Sequence, residues 1–150
     1  MASTGMTGTS ADVPPDRKRQ RTPSGPETPG GPRVLLAEDE VDLRGLLTAL
    51  LTNAGNVVTQ AASAPQAVEA VQATPFDVIV TDLLMPGGGA YVLVDAIRSL
   101  DPEPPVLLIT GADDDAEELL AGLDHGKCLR KPFRLAQILD AMDELLQRAG

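Results

Sequence analysis

The chain has 150 residues, 43% of them hydrophobic, with two Phe, one Tyr and no Trp, so its core must be built from Leu, Val, Ile and Ala. A single cysteine, Cys128, excludes an internal disulfide and suits a reducing compartment, which points to the cytoplasm. The net charge of −10 is unevenly placed: residues 1–32 carry four basic against three acidic groups and the remainder eight against nineteen, an acidic body that argues against nucleic-acid binding by the folded part.

Residues 1–32 hold five Gly, six Pro and eight Ser or Thr. They lack apolar periodicity and too little surface is available for burial to offset their ordering entropy, so a disordered tail is expected at 1–32 and a folded domain at 33–150. The Asp16-Arg17-Lys18-Arg19-Gln20-Arg21 cluster reads more readily as a solvated charge patch than as a docking site. No apolar stretch approaches the roughly 18 residues of a membrane span. The N-terminus also lacks the apolar core of a secretory signal, so no membrane partner is expected.

From Arg33 onward, strand-like runs alternate with helical patterns. Arg33 to Ala37 is a first strand, followed by Glu38-Asp39. Leu43, Leu46, Leu47, Leu50 and Leu51 mark a first helix that Gly55 ends. Val57 to Ala61 is a short strand. Ala64, Ala67, Val68 and Val71 lie on one face of a second helix, closed by Pro75. Asp77 to Thr81 is a strand whose continuous Val and Ile predict cover on both faces. Pro86-Gly87-Gly88-Gly89 predicts a loop. A third helix is expected from Ala90 to Leu100, with Leu93, Ile97 and Leu100 inward. Val106 to Ile109 is a fourth strand. Asp113 to Leu123 is expected to be an acid-capped, thinly packed helix. Cys128 to Arg130 is a short last strand in which Cys128 is expected to be buried, and His125 precedes it as a loop residue. Leu135, Ile138, Leu139, Met142, Leu145 and Leu146 predict a strongly amphipathic final helix. Five strands alternating with five helices imply an α/β fold with a doubly wound parallel sheet and right-handed crossovers.

Each of four strands ends on a polar group of a matched kind: Glu38 and Asp39, Asp82, Thr110, and Lys131. Open α/β sheets bind ligands at that edge. A like-charged carboxylate pair repels by on the order of 4 kcal/mol at about 4 Å and an effective dielectric of about 20. A hard divalent cation relieves that repulsion, and Mg²⁺, which takes one or two carboxylates and accepts phosphate oxygens, fits. A carboxylate facing a phosphoryl donor there can act as a nucleophile, with Lys131 neutralising phosphoryl charge and Thr110 donating a hydrogen bond. No Walker loop is present, so the phosphoryl group must arrive on a partner or a small phosphodonor. Each residue alone has a plainer reading: Glu38 and Asp39 as helix capping, Asp82 and Thr110 as turn chemistry, Lys131 as a surface charge. It is their co-occurrence at four strand ends that points to one site. Asp113-Asp114-Asp115 lacks the spacing of a calcium loop and reads as a solvated helix start.

The motifs Val34-Leu35-Leu36-Ala37-Glu38-Asp39-Glu40, Asp82-Leu83-Leu84-Met85-Pro86-Gly87, Thr110-Gly111 and Lys131-Pro132-Phe133 together resemble the receiver domain of two-component response regulators, from Arg33 to about Ala149. The resemblance implies a flavodoxin-like sheet of order 2-1-3-4-5, with its first and third strands at the topological switch point. It implies that Asp82 is the phosphoacceptor, and that Mg²⁺ is held by Glu38, Asp39, Asp82 and the backbone carbonyl of Leu84. Thr110 would be the switch hydroxyl, Lys131 the phosphoryl partner, and the Lys131–Pro132 bond cis. The implied partners are a sensor histidine kinase or histidine phosphotransfer protein as donor and a downstream protein as target, with a dimer as one arrangement of the output.

Two positions depart from the family pattern. Cys128 stands where receivers usually carry an aromatic residue whose rotation reports phosphorylation. Leu84, two residues after Asp82, is apolar where polar groups are common. As no output domain is recognisable after the last helix, the resemblance leaves two architectures: a single-domain response regulator, or the terminal receiver of a hybrid kinase. Such a domain is a signalling element rather than an enzyme. A haloacid-dehalogenase-like phosphatase needs a second Asp at the position of Leu84. A receiver scaffold that works through protein contacts without phosphorylation is the remaining alternative.

Overall fold

The computed structural model describes residues 31–111 and 116–149. Residues 1–30 of the expected tail and the Asp113-Asp114-Asp115 helix start therefore lie outside the described residues. Five strands and five helices alternate: β1 Arg33–Ala37, α1 Val41–Asn53, β2 Val57–Ala61, α2 Ala64–Ala73, β3 Val78–Asp82, α3 Gly89–Ile97, β4 Val106–Thr110, α4 Ala116–Ala121, β5 Gly126–Arg130 and α5 Leu135–Ala149. All strand pairings are parallel, in the order β2-β1-β3-β4-β5, which is the expected doubly wound sheet.

Alternating side chains of the strands feed two cores, because successive Cβ atoms of a strand point to opposite faces. Val34, Leu36, Val78, Val80, Leu107 and Ile109 pack against Leu47 and Leu51 of α1 and Ile138, Met142 and Leu145 of α5. Leu35, Ala37, Ile79 and Val106 pack against Ala64, Ala67 and Val71 of α2 and Leu93 and Ile97 of α3. Every residue of β3 and β4 is buried, as strands covered on both faces require. The edge strands β2 and β5 are more open. Among the described residues no helix is long and apolar enough to cross a membrane.

The elements depart from the sequence expectations in places that tertiary context explains. Leu46 of α1, grouped by spacing with the inward leucines, is 50% exposed, whereas Leu47 is fully buried. The five leucines cover a wider arc than the sheet can accept. Helix α3 begins one residue early and stops at Ile97 rather than Leu100. It stops because Ser99 N–H and Leu100 N–H bond to the carbonyls three residues back, Ala96 and Ile97, which tightens the last turn. Gly89 opens α3 at φ +65°, and a Cβ there would lie 2.6 Å from the Leu83 carbonyl oxygen. Only glycine fits that approach. Helix α4 ends at Ala121, two residues before the expected Leu123, through similar tight bonds from Gly122 to Leu119 and Leu123 to Leu120. Strand β5 starts two residues early, at Gly126, because Gly126 and Lys127 pair with Val106 and Leu107. Cys128, expected to be buried, is only half-buried in this edge strand, beside Leu119 and Leu120.

Candidate functional site

The register brings the polar strand ends together. Ala37 is level with Thr81, so Glu38 leaves β1 beside Asp82 at the end of β3. On the other side of β3, Asp82 pairs with Ile109, and Thr110 pairs with Arg130, the residue before Lys131. The β1–β3 adjacency is the switch point of the sheet, where a crevice opens above the strand ends.

Glu38, Asp39 and Asp82 each offer a carboxylate oxygen within 4.8 Å of the others. Glu38 is 2% and Asp82 7% exposed, while Asp39 is open to solvent. Lys131 reaches back across β4 to place Nζ 3.3 Å from Asp82 Oδ2. The Lys131–Pro132 peptide is cis, as the resemblance implied. Thr110 is 1% exposed, and its carbonyl accepts the Lys131 backbone N–H at 2.8 Å. Leu84 is 66% exposed and, with Asp39, Met85, Gly88 and Tyr91, lines a shallow depression beside the acids. All the site residues named from the sequence therefore gather at one edge of the sheet.

The electrostatics of the cluster are uneven. Glu38 Oε2 accepts the Glu40 backbone N–H at 3.0 Å, but among the described residues the buried Glu38 Oε1 has no hydrogen-bond partner. Burial, then the neighbouring Asp82 and Asp39 charges, push the Glu38 carboxyl up from 4.5 to about 7 against the pull of the Glu40 N–H and Lys131. A buried, orphaned carboxylate oxygen beside two further carboxylates is a donor set that fits a hard divalent cation. Such a cation satisfies the bare oxygen and relieves the repulsion together.

Three contributors were not identified from the sequence. The Glu40 backbone N–H holds Glu38. Arg44 Nη1 donates to the Glu38 carbonyl at 2.8 Å. Tyr91 lines the depression beside Asp39. Arg44 was findable in principle: it lies one turn after Glu40, and helical side chains lean toward the N-terminus, here toward the site.

An open parallel sheet carrying acids at its switch point and a lysine that reaches them from two strands away is the arrangement shared with a class of signalling domains. The response regulator receiver domain family model matches residues 34–143, and the chain belongs to this family of two-component signalling domains. It is 32% identical over 121 residues to the response regulator receiver protein CpdR of Brucella abortus, covering 76% of this chain and 96% of that protein. It is 33% identical over 120 residues to the transcriptional regulatory protein TcrA of Mycobacterium tuberculosis, covering 79% of this chain but only 47% of TcrA. Among solved structures it resembles a response regulator receiver protein from Sinorhizobium medicae with TM-score 0.71 and 30% identity, over 79% of this chain and 96% of that one. It also resembles the receiver domain of a Pseudomonas aeruginosa sensor histidine kinase, with TM-score 0.70 and 26% identity over 78% and 98% of the two chains. That structure carries a magnesium ion coordinated in its active-site cleft.

Proposed function

We propose that residues 33–150 form a phosphoacceptor switch that takes a phosphoryl group onto Asp82 from a histidine of a sensor kinase or phosphotransfer protein. The observation that carries this reading is the position of Asp82, within 4.8 Å of Glu38 and Asp39 and in contact with Lys131 at 3.3 Å. Mg²⁺ would be held by Glu38, Asp39, Asp82 and the Leu84 carbonyl. When bound, it lowers carboxylate repulsion and neutralises phosphoryl oxygens.

A carboxylate oxygen of Asp82 attacks the donor phosphorus. The P–O bond forms as the P–N bond breaks, and the imidazole leaves as the neutral ring with its proton on the other nitrogen. Lys131 Nζ moves from Asp82 to the phosphoryl oxygens, and the Thr110 hydroxyl donates to one of them. Water later attacks phosphorus and returns the free carboxylate and inorganic phosphate. Displacement of Thr110 carries the change toward β5 and the neighbouring helices. With Cys128 half-buried on β5 in place of an aromatic ring, the output depends on the Thr110 side of that face.

The reading suits a single-domain regulator, as does the 96% coverage of CpdR, or the receiver of a hybrid kinase. Either one works in the cytoplasm, where its kinase donor resides, and acts on a downstream protein. Acetyl phosphate or beryllofluoride with Mg²⁺ is expected to modify the wild type, read by intact mass or amide chemical shifts, and to leave Asp82→Asn unmodified. Modification that persists in Asp82→Asn refutes the assignment.

A further inference from the structure

We propose that Arg44 is a positioning residue that sets the geometry of the acidic pair by clamping the peptide group between Glu38 and Asp39. The inference rests on the reading of Glu38, Asp39 and Asp82 as the Mg²⁺ site. Strand β1 ends at Ala37, and the chain must turn into α1 within three residues. The Glu38 amide is anchored to the Ala61 carbonyl at 2.9 Å. Its carbonyl has left the ladder and accepts Arg44 Nη1 at 2.8 Å instead. Arg44 Nε donates to Gln60 Oε1 of β2 at 3.1 Å.

One planar guanidinium is thus fixed by acceptors on two elements, and its orientation is not free. The Glu38 carbonyl belongs to the peptide plane that links the two acids. Rotation of that plane swings Asp39 away from Asp82. It also strains the bond from Glu40 N–H to Glu38 Oε2, which measures 3.0 Å.

Charge alone predicts the opposite effect. Arg44 lies against the Glu38 backbone, and a cation there repels Mg²⁺, so its removal tightens Mg²⁺ binding if Coulomb repulsion is all that matters. If positioning dominates, removal weakens it, as loss of an outer partner of a metal site commonly does by about tenfold or more.

The test is calorimetric titration of the full chain with Mg²⁺. Mg²⁺ binding by the wild type and its loss in Asp39→Asn establish the site reading independently; without them that reading fails, whatever Arg44 does. Given them, Arg44→Ala is expected to raise the Mg²⁺ Kd about tenfold. It is also expected to speed exchange of the Glu40 amide in metal-free protein. Arg44→Lys, with a flexible ammonium in place of the fork, recovers little of the affinity. Gln60→Ala removes the outer anchor alone and gives a smaller loss in the same direction. An unchanged or tighter Kd in folded Arg44→Ala overturns the proposal, including the case where urea stability falls but Mg²⁺ affinity does not. If Arg44→Ala does not fold, wild-type affinity in both Arg44→Lys and Gln60→Ala overturns it.

Discussion

Replacing Glu38 with Gln is expected to stabilise the metal-free protein above neutral pH and to reduce its response to Mg²⁺. Glu38 is 2% exposed, its Oε1 has no partner among the described residues, and its carboxyl is raised from 4.5 to about 7. A raised carboxyl leaves stability unaffected below the unfolded value and lowers it progressively as pH climbs through the folded one. Between pH 4.5 and about 7 the folded protein retains a proton that the unfolded chain releases. At about 1.4 kcal/mol per pH unit, the ionised group costs the metal-free fold about 3 kcal/mol by roughly pH 8. Glutamine keeps an acceptor for the Glu40 N–H and offers its own N–H groups to the carboxylates, so the variant escapes most of that cost. The assay is urea unfolding followed by far-ultraviolet circular dichroism in chelator, at about pH 8 and about pH 4. The stability gain of about 1–3 kcal/mol expected at the higher pH vanishes at the lower. Saturating Mg²⁺ then narrows or reverses the ranking, because a ligand stabilises in proportion to its affinity for the folded state. A Glu38→Gln protein no more stable than wild type near pH 8 without metal refutes the account of this carboxylate as a strained, cation-seeking group.

Leu47→Ala is expected to cost about 2–5 kcal/mol in urea unfolding, as a fully buried leucine in the α1 core, while its neighbour Leu46→Ala stays within about 0.5 kcal/mol. Equal losses at the two positions contradict the helix orientation. Gly89→Ala is expected to destabilise by about 1–3 kcal/mol, from a left-handed φ and the close Leu83 carbonyl, whereas Gly45→Ala, on the open face of α1, stabilises by about 0.5–1 kcal/mol. Glu144 is held below its usual carboxylate value by Lys127 at 3.0 Å, with Arg148 at 2.7 Å assisting. That lowering stabilises the fold above the ordinary value near 4.5, and the contribution is lost as pH falls through the lowered one. Glu144→Gln is accordingly expected to lower the urea midpoint slightly at neutral pH and low salt, and to match wild type in acid; a difference that persists in acid contradicts it.

Much of this protein is legible along the chain because its signals are local. Hydrophobic period separates strand from helix, and β3 announces its burial on both faces by an unbroken Val-Ile-Val run. The polar residues at the strand ends are equally local, since a strand end and the turn after it occupy adjacent positions. Glu38, Asp39, Asp82, Thr110 and Lys131 can all be picked out in this way, and the receiver motifs tie them together.

Other features exist only once distant segments meet. The β1–β3 adjacency places acids more than forty positions apart within 4.8 Å, and no local pattern encodes it. Periodicity groups Leu46 with Leu47, and only the sheet beneath α1 selects the buried one. Glu38 and Asp39 are chemical near-equals side by side, yet one is buried with a bare oxygen and the other open to water. Arg44 finds its acceptors on a turn and on β2, sixteen residues away. Backbone propensity acts over a few residues, whereas burial, like-charge crowding and the direction of a hydrogen bond are set by whatever the folded chain brings alongside.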